Sequence, residues 1–204
     1  MKHNSIVIHQ AVNFAWATYK KHYRLFTAIL LTIFGTWAVL EIIVIAGQRF
    51  GILWWTLAHL AFFFIFAGIE VGFIQACFDL YDGKEPIFSD TFRHLSFGLK
   101  FLAGQVLYLL ITTLGLTFFI IPGVYLGVRY ILISFCQVSG AKNLTQSFQQ
   151  SAMLSTGNSI RLLAIIAALV IFNVIGACLL GIGLFITIPL STLVMTAVYK
   201  QLSE

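Results

Sequence analysis

Three times along this chain, a stretch with one polar and one apolar face gives way to two long apolar runs joined by a short, almost charge-free connection. In the first stretch Ile8, Ala11, Val12, Ala15, Trp16 and Tyr19 follow the i, i+3, i+4, i+7 spacing of one helical face, with Gln10, Asn13, Lys20 and Lys21 largely off that stripe. A helix that pairs an apolar ridge carrying Trp16 with a basic edge of Lys20 and Lys21 is expected to lie in the membrane interface. Phe88, Phe92, Leu95 and Leu99 repeat the spacing, with Ser89 as the expected N-cap. Leu144, Phe148 and Ala152 do so more weakly, with Asn143 and Gln146 at capping-box spacing. The plainer alternative is that all three stretches are only the cytoplasmic ends of long tilted helices.

The apolar runs predict spans at 25–47, 53–78, 101–121, 124–138, 162–180 and 184–199, against the roughly 20 apolar residues a helix needs to cross the hydrocarbon core. The expected fold is therefore an all-α membrane protein with six transmembrane helices as three pseudo-repeated hairpins, each preceded by a cytoplasmic amphipathic helix. Residues 1–204 form one polytopic domain, with pseudo-repeats at roughly 5–80, 88–138 and 143–200.

The repeat shows in the residues themselves. Leu30-Leu31-Thr32-Ile33-Phe34-Gly35 returns as Leu110-Ile111-Thr112-Thr113-Leu114-Gly115, at the offset that carries Lys20 onto Lys100. Segment 115–122 answers 176–183, and a third offset pairs Gly68, Glu70, Gln75 and Cys77 with Gly127, Arg129, Ser134 and Cys136. Internal duplication accounts for these coincidences; chance likeness between apolar segments is the alternative. Pro122 and Gly123 in one connection, and Gly181 and Gly183 in the other, mark the expected hairpin turns.

Composition agrees with the pattern: 60% of residues are hydrophobic and 9% charged, and the mean hydropathy of +0.97 is far from that of a soluble domain. Six spans and their connections use nearly the whole length, so function is expected to reside in the bundle or its rims. The first ten residues lack the apolar core of a cleaved signal peptide, and the first span is expected to direct insertion. Outside the spans, Lys2, Lys20, Lys21, Arg24, Lys84, Arg93, Lys100, Lys142, Arg161 and Lys200 fall on one side and Arg49 on the other. The positive-inside rule then puts both termini in the cytoplasm. On this account the net charge of +5 reflects orientation and contact with anionic headgroups, and no nucleic-acid partner is expected.

The segment Ile121-Pro122-Gly123-Val124-Tyr125-Leu126-Gly127-Val128-Arg129, then 147–157, then Gly181-Ile182-Gly183 and the closing Ile188-Pro189-Leu190 with Tyr199-Lys200, resembles an uncharacterised family of bacterial six-helix inner-membrane proteins. That family is similar to the membrane domain fused to some glycerophosphoryl diester phosphodiesterases. Trp16 with Lys20 and Lys21 matches its aromatic-plus-basic helix ahead of each hairpin, whereas Gln137-Val138-Ser139-Gly140 lacks the acidic residue the family carries there. The resemblance implies a fold and an inner-membrane location. It does not imply a reaction, since the phosphodiesterase chemistry belongs to a separate domain.

Ionisable side chains within spans are costly and mark functional candidates: Glu41, Glu70, Arg129 and His59. Glu70 and Arg129 occupy matching places in their repeats and form the candidate intramembrane ion pair, locking two hairpins together, lining a substrate or ion pathway, or recognising anionic lipid. Glu41 is expected near the outer interface, facing Arg49, and His59 is expected to pack among Trp54, Trp55 and Phe62 rather than bind metal or haem. The three cysteines, Cys77, Cys136 and Cys178, form no Cys-x-x-Cys pair, so no disulfide is expected. Asp79 and Asp82 beside Lys84 read as a solvated loop. No phosphate loop, dinucleotide fingerprint, zinc helix or nucleophile elbow occurs, so neither enzyme activity nor a cofactor or metal is expected.

Gly-x-x-x-Gly spacings at Gly68/Gly72 and Gly123/Gly127 point to close helix packing, within the bundle or in a homodimer. The expected function is a non-catalytic scaffold or accessory subunit that meets membrane lipids, anionic ones included, and membrane-protein partners. The alternative is a small transporter or channel that uses Glu70 and Arg129.

Overall fold

In the computed structural model, residues 6–141, 143–179 and 181–203 are described, without the side chain of Gln48. Lys2, Lys142 and Leu180, used above for charge bias and a span end, lie outside them. The described residues form helices and no strand: α1 Ile8–Ala46, α2 Gly51–Tyr81, α3 Gly98–Phe118, α4 Ile120–Tyr130, α5 Ile133–Val138, α6 Leu144–Ser155, α7 Ser159–Cys178 and α8 Leu184–Ser203, with 3-10 helices at Gln48–Phe50 and Phe88–Phe97. Six helical stretches are long and apolar enough to cross a membrane, which makes this a multi-pass membrane protein.

At 39 residues α1 exceeds any single span, and it is bent where His22 leaves helical geometry (φ −118°, ψ 23°). Residues 23–46 then supply a span of about 36 Å at 1.5 Å per residue. The arm 8–21 runs instead along α8, with Ala11 and Ala15 buried and the Val7 N–H donating to Gln201 Oε1 at 2.9 Å. The apolar stripe read from sequence is thereby divided. Its alanines face the protein, while Ile8, Val12 and Trp16 are 45%, 48% and 50% exposed.

α8 runs through the core, buried from Thr187 to Tyr199 on most positions. Pro189 lies inside it and deprives the Phe185 carbonyl of its helical partner. The Tyr19 hydroxyl donates to that oxygen at 3.4 Å and so joins α1 to α8. Phe78, Phe135 and Tyr199 pack as an aromatic triangle with centroids 5.4–6.1 Å apart, which ties α2, α5 and α8 together.

The second polar-faced segment differs from its expected form. Residues 88–97 make a 3-10 helix whose N-cap is Ile87, with the Asp90 carboxylate accepting the Ile87 N–H at 3.1 Å; Ser89 does not cap it. The reason is the partner surface. A Cβ added at Gly72 would strike the backbone of Thr91, one at Gly68 would strike Leu95, and one at Gly98 would come within 3.0 Å of the Gly68 nitrogen. The tighter 3-10 winding lays its backbone directly on α2, so the Gly68/Gly72 spacing serves packing inside the chain.

Among the connections, Gly181 adopts φ 76°, a conformation suited to glycine, and Gly183 abuts Gly176. In the preceding hairpin the reversal is made by one extended residue, Phe119 (φ −152°, ψ 121°). Pro122 and Gly123 lie in the first turn of α4, where the missing proline N–H has no helical acceptor to lose. Gly123 instead allows α4 to touch Gly115 and Leu116 of α3. Between α1 and α2 the packing is looser along the helices: Gly35, the counterpart of Gly115 by offset, has nothing within 4 Å of its Cβ position and lines an apolar groove of about 680 Å³, while nearer the connection Gly47 abuts Trp54, whose indole N–H donates to the Ile43 carbonyl at 3.4 Å.

Candidate functional site

The site is built from the two faces of α2. Positions 68 and 72 lie against the 3-10 helix, and Glu70, about 200° around the helix from Gly68 at 100° per residue, faces the opposite way. It opens into a cavity of about 590 Å³ bounded by α1, α2, the α4–α5 junction, α5 and α8. Most of the wall is apolar, from Ile33, Phe34, Phe66, Phe73, Phe135 and Ile188, and the polar side chains on it are Glu70, Ser134, Ser191 and Thr192.

Two of those hydroxyls are held from behind. Gln105 Nε2 on α3 donates to Ser134 Oγ at 2.8 Å, and Asn173 Nδ2 on α7 donates to Ser191 Oγ at 2.7 Å. Each hydroxyl oxygen is thus used as an acceptor, and its own O–H remains for the cavity. Thr192 instead donates to its own helix at the Ile188 carbonyl, 3.1 Å away. Among the described residues no lysine or arginine lines the cavity.

The expected Glu70–Arg129 ion pair is not formed among the described residues: neither side chain has an opposite charge within 4 Å. The reason is a break in the fourth span. α4 ends at Tyr130 and α5 begins at Ile133, so Arg129 lies in the last turn of a helix, where its charge meets the negative end of the helix dipole. Its Nη1 donates to the Tyr125 hydroxyl at 2.6 Å, and the guanidinium lies 5.7 Å from that ring. Matching offsets in the sequence do not guarantee facing sides. Accordingly, Glu70→Gln and Arg129→Gln are expected to be additive in unfolding free energy within about 0.5 kcal/mol, measured by denaturant titration in micelles. A coupling of several kcal/mol, on the order of the 3–5 seen when a buried pair is split, would restore the ion pair.

The α4–α5 break brings its own polar chemistry, which sequence reading missed. Helix-end carbonyls in a membrane need donors. Tyr108 Oη donates to the Gly127 carbonyl at 3.1 Å, Ser151 Oγ to Arg129 at 3.1 Å, and Ser155 Oγ to Arg129 at 3.0 Å and Val128 at 3.4 Å. The signal was present as Ser147, Ser151 and Ser155 at i, i+4, i+8 on α6, all buried. Asn143 stands at the N-cap of α6 but contributes no side-chain cap.

The remaining candidates are accounted for locally. His59 Nδ1 donates to the Trp55 carbonyl at 2.8 Å, and its ring lies 4.2 Å from the Trp55 ring. Arg49 lies over Phe50 and makes no ion pair with Glu41. Asp79 pairs with Lys84 at 3.3 Å and Asp82 with Lys200 at 2.6 Å. Lys21 pairs with Glu85 at 3.0 Å, which holds the Glu85 carboxyl below its ordinary range. Cys77 and Cys136 are buried free thiols, Cys178 is exposed and free, and no group of three or more metal-ligating side chains occurs among the described residues. Comparison with protein-family models, with curated proteins and with solved structures gives no match.

Proposed function

We propose that this protein is a non-catalytic membrane scaffold or accessory subunit of a bacterial inner membrane, holding membrane-protein partners and anionic lipid through a cytoplasmic collar. The observation that carries this reading is where the polar side chains of the spans and of α6 are spent. Gln105, Tyr108, Ser151, Ser155 and Asn173 each hydrogen-bond to another helix. Little is left that converges as acid, base and nucleophile do in a catalytic site.

The collar is formed by the arm 8–21, the 3-10 segment 88–97 and α6. Support for it comes from the exposed ridge Ile8, Val12 and Trp16, and from Lys20, whose Nζ lies 5.4 Å from the Trp16 ring. Lys20, Lys100 and Arg161 are exposed and have no carboxylate within 4 Å among the described residues, so their charges are available to headgroups. The contacts Gly115 to Gly123 and Gly176 to Gly183, which start at matching glycines and end one residue apart in register, support duplication and with it the resemblance to the six-helix family. The cavity beside a broken span favours a second reading, a small transporter.

Three measurements test the proposal. Cysteines placed at Ser89 and Thr156 should resist an impermeant thiol reagent in intact cells, and one at Arg49 should react. A photo-crosslinker at Trp16 in native membranes should capture membrane proteins or anionic lipid, and purified protein in liposomes should pass no solute. Saturable uptake abolished by Glu70→Gln in a folded variant would replace the scaffold with the transporter.

A further inference from the structure

The cavity at Glu70 has an electrical asymmetry that the scaffold reading does not use. It presents one carboxylate, two hydroxyls with free O–H groups, Thr192 bonded back to its own helix, and otherwise apolar and aromatic wall, with no cation among the described residues on its lining or within 4 Å of Glu70. A carboxylate in such surroundings is poorly stabilised in its charged form unless something supplies the opposite charge. The protein does not supply it: Arg129 is committed to Tyr125 and to the end of α4.

We infer that this cavity binds a lipophilic monocation, a molecule with one ammonium-like or phosphonium-like centre on an apolar body. Three features select that chemistry. The volume of about 590 Å³ suits a drug-sized molecule and greatly exceeds what a metal ion or a water needs. The single carboxylate matches one positive charge, whereas an anion would be repelled and a polycation would bring charges with nothing to meet them. The rings of Phe34, Phe66, Phe73 and Phe135 line the wall, where aromatic side chains attract a diffuse cation and cover the apolar part of the ligand. Ser134 and Ser191 are held by Gln105 and Asn173, so this polar corner is built before any ligand arrives. The site requires no turnover and stands apart from the cytoplasmic collar.

The test uses the full chain, purified in micelles, with radiolabelled tetraphenylphosphonium as the probe. The expected result is saturable binding of one cation per chain, with triphenylphosphine oxide, an uncharged analogue, failing to compete. Glu70→Gln should weaken binding about tenfold or more, as loss of a desolvated charge partner does. Glu41→Gln, which removes the same charge away from the cavity, should leave it unchanged. A second measurement needs no variant: labelling of Glu70 by dicyclohexylcarbodiimide, located by peptide mass, should be blocked by tetraphenylphosphonium and not by tetraphenylborate. Binding that survives Glu70→Gln in a folded protein, or labelling that the cation does not protect, would overturn the inference. Solute uptake in liposomes would remove the scaffold reading and leave this one standing, while a failed collar crosslink with intact cation binding would do the same.

Discussion

Gly72→Ala is expected to destabilise this protein strongly, although alanine is the better helix former. The added methyl would meet the carbonyl oxygen of Thr91 and lie 2.6 Å from its Cα and 2.7 Å from its carbonyl carbon. A side chain in that position could swing aside; backbone held by the Ile87–Asp90 cap and by Gly98 against Gly68 cannot do so locally. Overpacking a well-filled interior costs typically about 1–3 kcal/mol and more where the neighbour is rigid. Gly72→Ala should fall at or above the upper end, against a gain of about 1 kcal/mol from helix propensity. Gly35→Ala is the matched control, because nothing lies within 4 Å of its Cβ position, and it should be neutral or slightly stabilising. Denaturant unfolding in micelles, followed by size-exclusion profile, reads both. A Gly72→Ala protein as stable as the parent would mean that the 3-10 segment does not lie on α2.

The six spans were legible because length and apolarity register directly in the residue run, and because the bilayer leaves a chain few other ways to satisfy its backbone. The helical face of the arm 8–21 was legible too, but not which part of it faces inward. Small alanines turn toward α8 where a hydropathy scale would turn Trp16, since close approach between helices in a membrane favours small side chains over large ones. The break at 131–132 left no local sign. Tyr130-Ile131-Leu132-Ile133 contains neither glycine nor proline, and the donors that stabilise it come from α3 and α6, distant in sequence. Serines 147, 151 and 155 were outweighed by Leu144, Phe148 and Ala152, although all three serines are buried along with Ala152.

The cavity was half legible. A carboxylate alone in an apolar run is conspicuous, and Glu70 was singled out for that reason. The hydroxyls beside it were not, because a hydroxyl in a span ordinarily bonds back to its own helix, as Thr32, Thr36, Thr56 and Thr117 do here. Ser134 and Ser191 are exceptions only because Gln105 and Asn173 reach them from neighbouring helices.

Removing the two α6 hydroxyls together should cost more than the sum of their separate effects. At the end of α4 the Arg129 carbonyl accepts from both Ser151 and Ser155, so either serine alone keeps it satisfied. Ser151→Ala is therefore expected to be mild, within about 0.5–1 kcal/mol, the range typical of one interhelical hydrogen bond in a membrane. Ser155→Ala should cost somewhat more, because the Val128 carbonyl is then left with only the long 3.5 Å bond from the Ile131 N–H. In the double variant the Arg129 oxygen has no donor in a site where both serines are almost fully buried, and an unmet buried acceptor costs about 1–3 kcal/mol. Ser151→Thr with Ser155→Ala restores a hydroxyl and should recover most of the loss. The same double variant should weaken tetraphenylphosphonium binding, because Ser134 and Phe135 reach the cavity from the helix that restarts after the break. Strictly additive, small effects in the unfolding titration would mean that these carbonyls find other donors and that α6 does not hold the break open.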